Sequence, residues 1–204
     1  MKPILLATGN PYKVQEIEPV LRQAGFNVLL QKDFFADEAI EDGQTFVENA
    51  LKKARFACQK TGLPCLAEDS GLEVEALGGR PGVCSARYAG VTGASREEVD
   101  AANLRKLLKD MESVPLHARR ARYCSVFVYL RSAEDAMPLI GTGILYGEIL
   151  PEPRTGRGIG YDDVFWVPKY FKTVSEMSDE LKNKISHRAQ ALREVLEKIK
   201  KDQV

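Results

Sequence analysis

The chain has 204 residues, and its 29 Lys and Arg cancel its 29 Asp and Glu, so the formal net charge is zero. That length suits a single domain over residues 1–204 and is ample for a buried core. Zero net charge argues against broad electrostatic binding to nucleic acid, and no apolar run approaches the roughly 18 residues of a membrane-spanning helix.

The opening stretch, MKPILLATGNPYK, carries too short an apolar run for a signal peptide. Pro3–Thr8 reads as a buried strand that ends in a turn at Gly9-Asn10. Val14, Ile17, Val20, Leu21 and Ala24 recur at helical spacing over Tyr12–Ala24, with Gly25 closing the helix. Pro19 is expected to bend or interrupt it. Phe26–Leu30 is a second short strand. Thr45-Phe-Val-Glu48 is a capping box, which predicts a helix to about Lys60, ended by Gly62.

Leu63–Glu68 reads as a strand that stops at Asp69-Ser70-Gly71, with Leu72–Ala76 strand again. Gly78–Gly82 must turn. Ser95-Arg-Glu-Glu98 opens a second capped helix, to about Met111. Ala121–Arg131 and Leu139–Leu150 are β-patterned, and Gly141, Gly143 and Gly147 in the second suggest bulges or a close backbone approach. Ser178–Lys201 is largely helical, with Leu192, Val195, Leu196 and Ile199 as its apolar stripe. Cys58, Cys65, Cys84 and Cys124 form no CxxC pair. They read as reduced, packed thiols of a cytosolic protein. The alternation predicts an α/β fold with a mixed, strongly twisted central sheet flanked by helices.

Familiar motifs are absent: there is no Gly-Lys for a P-loop, no GxGxxG after a strand, no HExxH and no GxSxG. What remains is polar clusters at the ends of apolar runs. Thr8-Gly9-Asn10 with Lys13 could cradle a phosphate: Gly9 admits an anion, the helix N-terminus offers N–H groups and Lys13 sits one turn in. The plainer alternative is a strand-to-helix turn with a solvated lysine. Glu38, Glu41 and Asp42, then Glu48 and Asn49, form an acidic group.

Glu68-Asp69-Ser70-Gly71 puts two carboxylates at the end of a buried strand, where charge must be paired, hydrated or bound to metal. One or two carboxylates plus substrate phosphates commonly hold Mg²⁺, and a carboxylate there could take a proton from water. The alternative is a turn-forming Asp-Ser-Gly. In Pro153–Asp162, Arg154 and Arg157 suit bidentate phosphate contacts, among glycines at alternate positions; a surface hairpin is the alternative. Lys182 with Ser186-His187-Arg188 could read an anion or a base edge, or be a solvated helix face. Jointly these clusters describe a site for a polyphosphate with a divalent metal.

Five blocks carry a resemblance: TGNPYK (8–13), EDGQTFVENALKKA (41–54), AEDSGLEVEALGGRPGVCSARYAG (67–90), PRTGRGIGYDDVF (153–165) and KNKISHRAQAL (182–192). In order and spacing the chain resembles the inosine triphosphate pyrophosphatase family, over nearly its whole length. The resemblance implies cytoplasmic homodimers of two lobes with a long cleft between them. It implies hydrolysis of ITP, dITP or XTP to the monophosphate and pyrophosphate with Mg²⁺, as housecleaning of the nucleotide pool. By matching positions, Thr8, Gly9, Asn10 and Lys13 would bind the triphosphate. Glu41 and Asp69 would hold Mg²⁺, Asp69 would activate water with Glu68 as its acidic neighbour, and Ser70 would contact substrate. Arg154, Ile159, Gly160, Tyr161 and Asp162 would line the nucleotide pocket, and Lys182, His187 and Arg188 would contact base and phosphates.

Two positions depart from the family's pattern. Ile159 stands where a stacking Phe is usual, and Asp163 where Pro is usual, an added carboxylate expected to alter the loop or repel phosphate. Other readings are a pyrophosphohydrolase for other modified nucleotides and a catalytically silent nucleotide-binding protein of the same fold.

Overall fold

The computed structural model describes residues 2–155 and 158–202. In chain order these form β1 (Lys2–Ala7), α1 (Pro11–Gln23), β2 (Phe26–Leu30), α2 (Phe46–Thr61), β3 (Cys65–Val74), α3 (Arg96–Asp110), β4 (Arg120–Leu130), β5 (Leu139–Ile149), β6 (Phe165–Val167), β7 (Lys172–Thr173), α4 (Asp179–Ile185) and α5 (His187–Asp202). The strands make one sheet in the order β2-β1-β3-β4-β5-β6-β7. β1 runs parallel to β2 and β3, and β6 runs antiparallel to β5 and β7, so the sheet is mixed, as the alternating elements predict. The chain divides into two compact units: residues 1–69, 125–143 and 188–204, and residues 70–124 and 144–187.

In the first unit the side-chain alternation of each strand sorts the core into two faces. Ile4 and Leu6 of β1, Leu66 of β3, and Phe127 and Tyr129 of β4 pack with Ile17 and Leu21 of α1 and with Ala191, Leu192, Val195, Leu196 and Ile199 of α5. The intervening Leu5, Ala7, Cys65, Ala67, Val128 and Leu130 pack with Ala50, Ala54, Ala57 and Cys58 of α2. Small residues on α2 let that helix lie close to the sheet. In the second unit, Leu107 and Met111 pack with Leu145, Ile149, Phe165, Val167, Val174 and Met177.

Local signals act where they are read. Thr45 and Glu48 cap α2 reciprocally, Ser95 and Glu98 cap α3 the same way, and Gly62 ends α2 in the left-handed conformation at φ 67°. Three expectations are corrected. α1 continues through Pro19 instead of breaking: Pro19 and Gln15, whose carbonyl loses its intrahelical donor, are both exposed to water. β3 does not stop at Asp69-Ser70-Gly71. The Asp69 carboxylate bonds to side chains of α2 rather than to its own backbone, and the Leu72 N–H donates to Ser85 Oγ at 2.8 Å. The C-terminal stretch is largely helical, as expected, in two helices separated at Ser186. Cys58, Cys65 and Cys124 are buried, but Cys84 is exposed.

Gly141 bears out the close approach expected of the β5 glycines. A Cβ there would stand 2.2 Å from the Ala191 carbonyl oxygen and 2.6 Å from the Val195 nitrogen, both backbone atoms of α5. Gly141→Ala is expected to cost about 1–3 kcal/mol, since a helix backbone must move to admit the methyl group. Urea unfolding reads the loss, and an unchanged midpoint would mean that α5 shifts freely.

Candidate active site

The site in the first unit is built at the carboxyl end of β1 and in the middle of β3, just past the last parallel pair, Ala7 with Ala67. After β1, Asn10 is the N-cap of α1, and its side-chain oxygen accepts the N–H groups of Tyr12 at 3.0 Å and Lys13 at 3.4 Å. Thr8 Oγ1 accepts the Asn10 N–H at 3.2 Å. Two of the helix N–H groups expected to face an anion are therefore capped by Asn10 itself. A Cβ on Gly9 would come within 3.1 Å of Glu38 Oε1, so this turn is kept open by having no side chain.

Strand parity sends the two neighbouring acids of β3 to opposite faces. Glu68 follows Leu66 to the α1 and α5 side, where its side chain is fully buried. Lys13 Nζ lies 2.6 Å from Glu68 Oε2, and on Oε1 the Ser125 hydroxyl donates at 2.8 Å and Arg188 Nε at 3.2 Å. Arg188 Nη1 also donates to Glu16 at 2.6 Å. Burial pushes the Glu68 carboxyl up, but the charges of Arg188 and Lys13 and the bonds from Lys13 and Ser125 outweigh it and hold Glu68 far below the usual carboxylate range. Lys13 shows the converse: burial lowers its pKa, and Glu68 only partly opposes that.

Asp69 follows Ala67 to the α2 side. Asn49, fully buried, donates to Asp69 Oδ2 at 3.3 Å, and its own carbonyl accepts the Gly43 N–H at 2.8 Å. A Cβ on Gly43 would lie 2.6 Å from that Asn49 oxygen, so glycine is what lets the loop reach it. Lys53 Nζ stands 2.8 Å from Asp69 Oδ1 and 3.4 Å from Glu41 Oε1. The two carboxylates thus converge on one cation. Burial raises the Asp69 pKa above its ordinary value, with Lys53 opposing. Burial would lower Lys53, but Asp69 and Glu41 outweigh it and raise its pKa.

Among the described residues no group of three or more His, Cys, Asp or Glu side chains is placed to hold a metal. Glu41 and Asp69 are two hard oxygen donors already gathered about one positive charge. That donor set fits Mg²⁺, which keeps several waters and takes few protein carboxylates beside substrate phosphates. Two others of the acidic group have different partners: Glu48 caps α2, and Asp42 pairs with Lys52.

The other expected residues belong to the second unit, except Arg188. Asp162 accepts from the Tyr123 hydroxyl at 3.0 Å and lies 3.8 Å from Lys182 Nζ. The His187 ring stacks on Tyr123 with centroids 4.8 Å apart. Tyr161 is turned into the core, its hydroxyl donating to the Ser85 carbonyl at 2.8 Å. Ile159 is exposed, and Gly160 holds φ 62°. Arg154 lies over the Trp166 ring at 4.3 Å, with Glu176 3.6 Å away. Ser70 is half-buried on β3. Gly156 and Arg157 lie outside the described residues.

Sequence reasoning missed Lys53, Ser125 and Glu16, and noted Asn49 only as a neighbour of acids. Nothing in their local sequence singles out Lys53 or Glu16 among the charges of their helices, or Ser125 within its β-patterned run. Asn49 left a signal: an amide inside a run of small apolar residues on a helix face is expected to have a buried partner.

The sequence model of the Ham1 family matches residues 4–198. A dITP/XTP pyrophosphatase of Yersinia pseudotuberculosis serotype I is 48% identical over 98% of this chain and 99% of its own length. The dITP/XTP pyrophosphatase of Escherichia coli K12 is 46% identical over the same shares. Among solved structures, a HAM1 protein from Coxiella burnetii superposes with a TM-score of 0.89 at 40% identity, covering 98% of this chain and 100% of that one. The Staphylococcus aureus Ham1 protein gives 0.85 at 32% identity, over the same shares. Motif order, backbone and full-length similarity agree, and the chain belongs to the Ham1 family.

Proposed function

We propose that this chain is a nucleoside triphosphate pyrophosphohydrolase that cleaves non-standard purine nucleotides, dITP, XTP and ITP, to the monophosphate and pyrophosphate. The observation that carries this reading is the convergence of the Glu41 and Asp69 carboxylates on the Lys53 ammonium, with Asp69 next in sequence to a carboxylate neutralised by Lys13 and Arg188. The relatives named dITP/XTP pyrophosphatases, alike over nearly their full length, support it.

In this mechanism Glu41 and Asp69 would hold Mg²⁺, which would offset phosphate charge and polarise the bond to be broken. Asp69 takes the proton from the attacking water as the water approaches the α-phosphorus in line with the leaving pyrophosphate. Lys13 offsets charge that builds on the triphosphate and leaving group, and Asn49 and Lys53 orient Asp69. Thr8, Gly9, Asn10 and Ser70 contact the phosphates. His187 and Arg188 offer donors to the 6-keto oxygen, with Ile159, Gly160, Asp162 and Lys182 around the base. An adenine 6-amino group would set donor against donor and leave both unsatisfied. The enzyme acts as a cytoplasmic homodimer in this reading; among the described residues no helix is long and apolar enough to cross a membrane.

Pyrophosphate release across a nucleotide panel tests the assignment. We expect kcat/KM for dITP and XTP to exceed that for dATP and dTTP by about 10²-fold or more, with activity lost on chelation and restored by Mg²⁺. Equal rates for all nucleotides, or release of orthophosphate instead of pyrophosphate, would overturn it.

A further inference from the structure

Asp163 follows the expected base contacts, yet its carboxylate does not face solvent. It is 4% exposed. One carboxylate oxygen accepts the Thr155 hydroxyl, the other accepts the Gly158 N–H at 2.9 Å, and the Asp163 carbonyl accepts the Arg154 N–H at 3.1 Å. The Thr155 hydroxyl also contacts Ser175 Oγ at 3.1 Å, and Ser175 contacts Thr173 at 3.0 Å, so a row of hydroxyls backs the carboxylate. A Cβ on Gly158 would lie 2.9 Å from Asp163 Cγ; only glycine brings its N–H to this oxygen. Between the two ends of this clamp, the Asp162 N–H donates to the Ile159 carbonyl at 3.2 Å, and Gly160 takes its positive φ. The carboxylate expected to repel phosphate is turned inward instead, onto its own loop.

We propose that Asp163 is a positioning residue: its buried carboxylate ties Arg154, Thr155 and Gly158 to the strand-entry segment and so presents Ile159, Gly160 and Asp162 to the nucleotide base. A buried carboxylate is retained only where donors compensate its desolvation, and here the compensating donors come from the loop it organises. Bonds that order a loop before substrate arrives reduce the ordering cost of binding, so their loss falls on KM more than on kcat. The inference rests on the base-contact role proposed for Ile159–Asp162.

The test compares Asp163→Ala, Asp163→Asn and Thr155→Val with the parent enzyme in pyrophosphate release from dITP, with inhibition by inorganic tripolyphosphate measured beside it. Asp163→Ala is expected to raise KM about tenfold with kcat held within about twofold. The tripolyphosphate inhibition constant should stay unchanged, because that ligand has no base for the loop to hold. Asp163→Asn keeps one acceptor and should fall between parent and alanine variant. Thr155→Val removes one donor from an exposed loop position, leaves folding intact and should raise KM about threefold. An unchanged KM in Thr155→Val overturns the proposal even if the alanine variant does not fold. So does a parallel rise of KM and the tripolyphosphate constant, which would mark general damage. A parent enzyme active on dITP with these variants unaffected removes the clamp alone, whereas a parent inactive on every nucleotide removes the functional reading beneath it.

Discussion

Asp69→Asn is expected to lower kcat for pyrophosphate release by roughly 10²–10⁴-fold, the usual contribution of a positioned acid–base group. The amide is nearly isosteric and can still accept from Asn49 through its oxygen. Its nitrogen would then face Lys53, which donates to Asp69 at 2.8 Å in the parent. Proton acceptance is lost outright, and a charged oxygen is removed from the pair that Glu41 and Asp69, both beside Lys53, would offer to Mg²⁺. The triphosphate contacts assigned to Thr8, Asn10 and Lys13 do not involve Asp69, so dITP binding should persist. Single-turnover kinetics with separate equilibrium binding divides the two effects. A variant within tenfold of the parent in kcat would take Asp69 out of the proton-transfer role.

Glu68→Gln is expected to destabilise the fold by about 3–5 kcal/mol, the cost of leaving a buried ionic group without its partner. Lys13 and Arg188 share this carboxylate, and both cations are largely withdrawn from water, with side-chain exposures of 17% and 16%. Arg188 keeps Glu16. Lys13 loses the carboxylate that opposes the lowering of its pKa by burial. It would therefore spend more time neutral, and KM for triphosphates should rise as its charge is withdrawn. Urea unfolding gives the stability loss. Adding Lys13→Met to Glu68→Gln should recover part of it, because the orphaned ammonium is then removed; coupling between contacting residues is what such a cycle measures. A loss below about 0.5 kcal/mol, typical of surface substitutions, would show that Glu68 holds nothing together.

These two acids also show how differently sequence and tertiary structure contribute. Adjacent letters in an apolar run mark Glu68 and Asp69 as unusual. Alternation along a strand then sends one to the α1 and α5 face with Leu66 and the other to the α2 face with Ala67. Reading Asp69-Ser70-Gly71 as the end of the strand hid that division, because turn propensity was weighed without the Asn49 and Lys53 side chains that occupy the aspartate. Asp163 was hidden similarly. As a letter it is one more negative charge beside Asp162; its inward orientation depends on Thr155 and Gly158, eight and five residues back.

The sequence by itself determined what is local. The caps at Thr45 and Ser95, the stop at Gly62 and the sorting of apolar positions into strand and helix depend on residues three or four apart, whose geometry the backbone dictates. The motif blocks, taken in order, carried the family. Only the tertiary structure decided which charges meet. Arg188 reaches Glu68 from 120 positions away and Glu16 from 172, and Lys53 reaches Asp69 from 16. A lysine or arginine on a helix has the same letter whether it is solvated or buried against a carboxylate. The difference is set by desolvation and Coulomb attraction, which exist only once the sheet has brought the end of β1 and the middle of β3 to the helices that carry those charges.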